Sequence, residues 1–358
     1  MKKIFFVFLI ALGIIFYFLF FAKNESKENF RKKAQSFSPT PSVQAVSNEE
    51  SLIFIPYWSL PKSSSDVPFD SLVYFGIKPD AVGIDKKDTG FSGLGKFSGI
   101  NKGKKNYLVL RMLDQKLNQK ILVDKNLNKK IINQTLEITK DSFDGIILDL
   151  EISSMPFTSL TNNINNFVST FHKEAKDKKI KFSIMLYGDT FYKLRPYDVL
   201  NLSNNSDGIF IMAYDFHKAG GNPGPNFPFS GKEKYGYDFK TMITDFLNFV
   251  PKEKITVVFG MFGYDWQKDD SSREPARALS LNEVINMFGK CQSGPPYGEV
   301  NCELKVDNLS AESQILYKDK SLKEHEVWFE TMDSVSKKKE FLKGKGINKI
   351  AFWAYSYF

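Results

Sequence analysis

From Leu52 onward, short apolar runs alternate with longer polar or helical stretches. The runs are LIFIPYW, LVYFGI, NYLVLRML, FDGIILDLE, IKFSIMLYG, DGIFIMAYD, KITVVFGMFGYDW and NKIAFWAYS, and most are almost continuously apolar. Strands covered on both faces read this way, because neither face meets water. Between several of them the period becomes helical. Leu160, Ile164, Phe167, Val168 and Phe171 form one apolar stripe; Phe239, Met242, Ile243, Phe246 and Val250 form a second; Leu127, Ile131, Ile132 and Leu136 form a weaker third. The first stripe predicts a helix capped by Thr158 or Ser159. Strands interleaved with helices predict an α/β fold, a (β/α)8 TIM barrel, with a doubly wound open sheet as the alternative. Two segments exceed a minimal barrel: HKAGGNPGPNFPFSGKEKYGY after the sixth run, and residues 267–347 between the seventh and eighth. Long excursions after strand C-termini predict the substrate side of such a barrel.

The N-terminal pattern is different. Ile4 to Ala22 carries no charge and follows Met1-Lys2-Lys3. At about 1.5 Å per residue it is long enough to cross a hydrocarbon core of about 30 Å, which predicts a transmembrane helix. The FFA before Lys23 lacks the small residue wanted two positions before a cleavage-site Ala, so residues 1–22 read as an anchor in preference to a cleaved signal peptide. Lys23, Lys27, Arg31, Lys32 and Lys33 follow the span and by positive-inside counting would hold the rest in the cytoplasm. Against this, residues 23–50 are polar with scattered Pro and read as a flexible linker, an arrangement common in exported proteins. Cys291 and Cys302 share one irregular Gly/Pro-containing segment and are a candidate disulfide, which favours an extracytoplasmic domain at the cell surface or in the periplasm, with secretion after signal cleavage as the alternative.

The length of 358 residues suits one large barrel with appendages. The net charge of +8 comes mostly from Lys scattered along the chain, which reads as solvated surface and predicts no nucleic-acid partner. No spacing suggests a metal site; His217 reads as a loop residue. A monomer without a cofactor is expected.

The fourth run concentrates the chemistry. Strand alternation puts Ile147, Asp149 and Glu151 on one face and Ile146, Leu148 and Leu150 on the other. The aliphatic set faces the helices, so the acids face the barrel axis, with Glu151 at the C-terminal mouth and Asp144 at the strand's entrance. Two carboxylates this close cannot both ionise freely, and one should hold its proton, as an acid that protonates a leaving-group oxygen must. The structural alternative is an ion pair with Arg111, near the end of the third run.

Here the residues carry a resemblance. DGIILDLE resembles the Asp-Gly-x-Asp-x-Asp-x-Glu signature of glycoside hydrolase family 18, the chitinase family. The resemblance implies that Glu151 is the general acid/base and that Asp149 orients the substrate N-acetyl group. FIMAYDFH resembles the family's sixth-strand motif, which makes Tyr214 a catalytic contact to the reacting N-acetyl group and places Asp215 and Met212 among the substrate-binding residues. AFWAYS matches the eighth-strand tryptophan, Trp353, under the sugar at the cleavage site. The C-terminal part is similar to bacterial members resembling spore-cortex peptidoglycan hydrolases. The resemblance implies a barrel over residues 51–358 with a small α+β insertion at 264–326, between strands seven and eight. Tyr57, Trp58, Phe262, Tyr264 and Trp266 lie at or just past strand ends, where rings can stack on sugars.

The implied activity is retaining, substrate-assisted hydrolysis of β-1,4-linked N-acetylglucosamine glycans, either chitin or peptidoglycan. The alternative is a catalytically inactive, carbohydrate-binding barrel. Ile147 departs from the pattern by replacing the middle aspartate, which leaves Asp149 without a neighbouring acid partner.

Overall fold

A computed structural model describes residues 49–62, 67–100, 103–268, 275–289, 291 and 302–358. Eight parallel strands close into a barrel: β1 (Glu50–Pro56), β2 (Ser71–Ile77), β3 (Lys105–Met112), β4 (Gly145–Leu150), β5 (Lys181–Tyr187), β6 (Gly208–Ala213), β7 (Ile255–Gly260) and β8 (Lys349–Trp353). They follow one another around the barrel in chain order, and β8 closes it against β1 with Leu52 opposite Ala351. The closed parallel barrel is the predicted one; the open sheet is excluded because no barrel edge is left unpaired.

The helical stripes pack onto the outside of this barrel. Helix Thr158–Asp177 buries Ile164, Phe167, Val168 and Phe171, and helix Phe239–Leu247 buries Phe239, Met242, Ile243 and Phe246. The third stripe lies in helix Lys125–Thr139, capped by Asp124, whose side chain accepts from the amides of Asn126 and Leu127. The first stripe's cap differs from expectation. Phe157 stands at the N-cap without a side-chain hydrogen bond, and Thr158 is already helical. The hydrophobic face holds this helix in place without a polar cap.

The seventh run is not one strand. β7 ends at Gly260, and Phe262–Gln267 turns away to join a five-stranded antiparallel sheet with Arg277–Ser280, Glu324–Phe329, Ser313–Lys318 and Cys302–Val306. An apolar run cannot show where a strand changes sheets, because both sheets bury it. Gly263 permits the crossing: a Cβ there would stand 1.8 Å from the Trp328 carbonyl oxygen. Helix Leu281–Phe288 begins in a capping box formed by Ser280 and Glu283. A disulfide joins Cys291 to Cys302 beside this sheet.

The expected membrane anchor is corrected. Among the described residues no helix is long and apolar enough to cross a membrane. Residues 4–22, on which that expectation rested, lie outside the described residues, as does most of the expected linker. The membrane partner and the anchored extracytoplasmic placement built on that helix are withdrawn with it.

Candidate active site

β4 delivers its acids as alternation requires. Ile146, Leu148 and Leu150 are buried under the helices, while Ile147 and Asp149 are buried towards the barrel axis and Glu151 follows the last strand residue. Several bonds hold that strand exit. The Glu151 amide donates to the Met112 carbonyl at 2.9 Å. The Asn118 side chain donates to the Met112 and Glu151 carbonyls at 2.7 and 3.2 Å. The Tyr197 hydroxyl donates to the Leu150 carbonyl at 2.7 Å and accepts from the Ile152 amide at 2.9 Å. At the other end of the strand, Asp144 accepts from the Asn106 amide at 2.7 Å, a structural bond between β3 and β4.

A cavity of about 600 Å³ opens over these residues. Asp149, Glu151, Tyr214, Asp215, Trp58, Phe262, Tyr264 and Trp353 of the sequence-predicted set all line it. Tyr57, Met212 and Trp266 do not. The Tyr57 ring lies against the Arg111 guanidinium at 4.7 Å and meets Trp58 edge-on. Met212 is buried in β6 opposite Tyr187. The Trp266 indole donates to the Gly221 carbonyl at 3.1 Å, packing the insertion onto the loop after β6. His217 is held in that loop by the Pro225 carbonyl at 2.8 Å.

The ion-pair alternative for the two acids fails on geometry. Arg111 stands beside Asp149 in register, but its guanidinium bonds Asp88 at 2.6 Å and the Gly76 carbonyl at 2.9 Å. Among the described residues Asp149 therefore makes no ion pair, and its Oδ1 is buried without a hydrogen-bond partner. Burial, reinforced by the nearby Glu151 charge and only partly opposed by Arg111, holds the Asp149 carboxyl well above the usual carboxylate range. Asp149 is thus held towards its neutral form.

Glu151 is partly exposed and accepts from the Tyr187 hydroxyl through Oε2 at 2.8 Å. Sequence reasoning missed Tyr187. Its signal was present, since Ser183, Met185 and Tyr187 share one face of β5, and Met185 also lines the cavity. The Arg195 guanidinium covers the Tyr187 ring at 3.6 Å and is itself bonded to Asp189 at 2.6 Å. Burial, chiefly, and the Glu151 charge push the Tyr187 hydroxyl far up, so it remains a donor at every ordinary pH.

Tyr214 meets Phe262 edge-on at 5.7 Å, and burial, with Asp149 next in effect, keeps its hydroxyl protonated. Asp215 adopts a left-handed backbone (φ 59°) and accepts from the Tyr264 hydroxyl at 2.8 Å. Its carboxyl is raised by burial, against the lowering effect of the Tyr264 bond and Lys218. Trp353 stacks edge-on with Phe75 at 4.7 Å and Trp58 at 6.4 Å, forming one aromatic wall. The insertion supplies Ala278, Leu279, Ser280 and Glu283, and Tyr357 lies beside them. These were invisible as site residues because their approach depends on how the insertion docks. Among the described residues no group of three or more His, Cys, Asp or Glu is placed to hold a metal ion.

The site therefore offers a buried carboxyl held towards its neutral form, a more exposed carboxyl group held by a phenol, further phenolic donors and an aromatic wall. That set can bind a sugar, donate hydrogen bonds to a carbonyl oxygen and move one proton.

Comparison with known proteins agrees with this geometry. Residues 113–357 match the sequence profile of the Glycosyl hydrolases family 18. Over 149 residues, 41% of the chain, the sequence is 28% identical to the cortical fragment-lytic enzyme of Bacillus anthracis and covers 31% of that protein. The chain likewise spans only 34% of the YdhD protein of Bacillus subtilis (strain 168), to which it is 30% identical over 163 residues, 45% of the chain. The Bacillus cereus spore cortex-lytic enzyme SleL superposes with a TM-score of 0.69 at 20% identity, over 86% of this chain and 71% of the other. Human YKL-39, described as a pseudo-chitinase with retained chitooligosaccharide binding, superposes equally well, with a TM-score of 0.69 at 12% identity over 86% and 93%. At these identities the superpositions establish a shared fold.

Proposed function

This chain belongs to the glycosyl hydrolases of family 18, and from that membership we propose that its cavity binds a β-1,4-linked N-acetylglucosamine-containing glycan, chitin or peptidoglycan, and hydrolyses it with retention of configuration. The observation that carries this reading is the convergence of Asp149, Glu151 and Tyr214 on one cavity walled by Trp58 and Trp353. The similarity to cortical fragment-lytic enzyme and SleL keeps peptidoglycan beside chitin as the substrate.

In the proposed reaction Glu151, the carboxyl open to solvent, takes up a proton from solvent and donates it to the glycosidic oxygen. Asp149 is buried beneath it and holds its proton. It therefore serves as a hydrogen-bond donor to the substrate, not as a nucleophile. The acetamido oxygen of the sugar attacks its own anomeric carbon, which makes the family an exception to the two-carboxylate scheme. Asp149 and Tyr214 orient the acetamide and stabilise the resulting oxazolinium ion. Water then attacks the anomeric carbon, and Glu151 accepts its proton. Tyr187 holds Glu151 in place through both proton transfers.

A second reading, a barrel that binds such glycans without cleaving them, is favoured by Ile147. This residue is fully buried beneath Asp149 and supplies no polar atom, so Oδ1 of Asp149 lacks a partner. The pseudo-chitinase YKL-39 has the same fold. One experiment separates the readings. The full chain and its Glu151→Gln variant are incubated with chito-oligosaccharides and purified peptidoglycan, and products and binding are measured. Hydrolysis by the wild type and its loss in the variant are expected. Binding by both without products refutes hydrolysis in favour of the second reading, and hydrolysis unchanged by Glu151→Gln refutes the site assignment.

A further inference from the structure

In the long loop after β6 the Asn226 side chain has every polar atom engaged. Asn226 is 1% exposed. Its Oδ1 accepts from the Asp215 amide at 2.7 Å. Its Nδ2 donates to the Gly260 and Phe262 carbonyls, each at 3.1 Å. The Asn226 side chain thus ties the exit of β6 to the point where the chain leaves β7 and enters the insertion. Tyr214, Asp215 and Phe262, which these two exits carry, all line the cavity. The packing there is close: a Cβ on Gly260 would lie 2.7 Å from the Cβ of Tyr214.

Asn226 is itself held from behind. Glu312, fully buried in the insertion, accepts from the Asn226 amide at 2.6 Å and from the Phe227 amide at 2.8 Å. Lys338, also fully buried, bonds Glu312 at 3.1 Å and pairs with Glu330. Backbone bonds from Phe229 and Ser230 to the carbonyls of Ser310 and Leu309, at 3.0 and 2.9 Å, extend the same seam. A buried charge cluster, made by Glu312 of the insertion with Glu330 and with Lys338 of helix Met332–Gly344 before β8, is therefore connected, through one asparagine, to the left-handed residue at the cavity edge.

We propose that Asn226 is a positioning residue: locked by the Glu312–Lys338–Glu330 cluster, it holds Asp215 in its left-handed conformation so that the carboxylate faces the glycan. This rests on the reading of the cavity as a glycan site. The insertion then does more than wall the cavity, because its docking sets the angle at which the β6 exit meets substrate. Asp215 needs such a hold, since a non-glycine residue reaches φ 59° at a cost its surroundings must offset.

The test measures chitohexaose binding by calorimetry in the full chain carrying Glu151→Gln, so that no ligand is consumed. Asn226→Ala is added alone, Asp215→Ala alone, and then both together. Asn226→Ala is expected to weaken binding on the order of tenfold, within the range for members of one hydrogen-bond network. In the Asp215→Ala background the same change should weaken it by less than about twofold, since the group it positions is already gone. Circular dichroism confirms that each variant is folded, and Asn226→Ser supplies the same comparison if Asn226→Ala does not fold. An equal loss in both backgrounds, or none in either, overturns the positioning role while leaving the glycan site intact. If the Glu151→Gln chain does not bind chitohexaose the same cycle is run with solubilised peptidoglycan strands, and absence of binding to either glycan removes the glycan site and the positioning role with it.

Discussion

The buried cluster behind Asn226 gives a stability prediction that opposes the usual reading of a salt bridge. Glu312, Glu330 and Lys338 are all fully buried, so one ammonium faces two carboxylates. Glu312 also accepts two backbone amides, and the Ser334 hydroxyl donates to Glu330. Burial disfavours the charge on Lys338, but Glu330 and Glu312 outweigh it and hold the lysine above its ordinary value. Glu330 is the carboxyl left in excess. Burial pushes it up from 4.5 to about 7, with Lys338 opposing and Glu312 reinforcing the shift. Because the folded value is raised, the folded state binds the proton more tightly than the unfolded chain. The stability this confers is complete below about pH 4.5 and is lost as pH rises through about 7. The difference between the two values corresponds to about 3 kcal/mol. Glu330→Gln imitates the protonated form at every pH. Urea unfolding of wild type and variant should give stabilities within about 1 kcal/mol of each other at pH 5, and at pH 8.5 the variant should be the more stable by up to about 3 kcal/mol. Carboxylates elsewhere titrate alike in both chains and cancel. If Glu330→Gln is the less stable protein at pH 8.5, the attraction between Lys338 and Glu330 exceeds the cost of burying the charge, and the reasoning is wrong.

Three further outcomes follow from particular contacts. Tyr187→Phe removes the hydroxyl that donates to Glu151 and should lower turnover of chito-oligosaccharide about tenfold, as expected for a bond to a charged group; an unchanged rate would show that Glu151 needs no such support. Ile147→Asp trades a fully buried aliphatic side chain for a carboxyl and should lower stability by about 3 kcal/mol. Per folded molecule it should raise turnover several-fold, because Asp149 gains a partner; a rate equal to wild type would show that the missing aspartate does not limit the reaction. Gly263→Ala places a methyl group against the Trp328 carbonyl and should cost about 3 kcal/mol or more in thermal or urea unfolding; a loss below about 1 kcal/mol would mean the paired strands separate easily there.

The eight barrel strands and the helical stripes were legible in the chain, because a strand buried on both faces and a helix buried on one leave different periods that no later folding step erases. The acids of β4 were legible for the same reason: alternation alone puts Asp149 and Glu151 on the face opposite the three aliphatic residues. The seventh run shows the limit. KITVVFGMFGYDW reads as one strand, yet it divides at Met261 between two sheets, since apolar content reports burial and not which neighbour provides it.

Tertiary structure alone decided the electrostatics. In sequence Arg111 is a plausible counter-ion for Asp149, and only the approach of Asp88 from the loop after β2 takes it away. Which carboxyl keeps its proton depends on that, because in a low-dielectric interior an acid without a cation is cheaper neutral than charged. Tyr187, Asn226 and Glu312 come to the site from separate stretches of chain, and their contacts depend on strand order and on the docking of the insertion. Local pattern determined the barrel and its acids; long-range packing determined their partners, since hydrogen bonds and charge pairs act between residues whose separation in space the spacing along the chain does not encode.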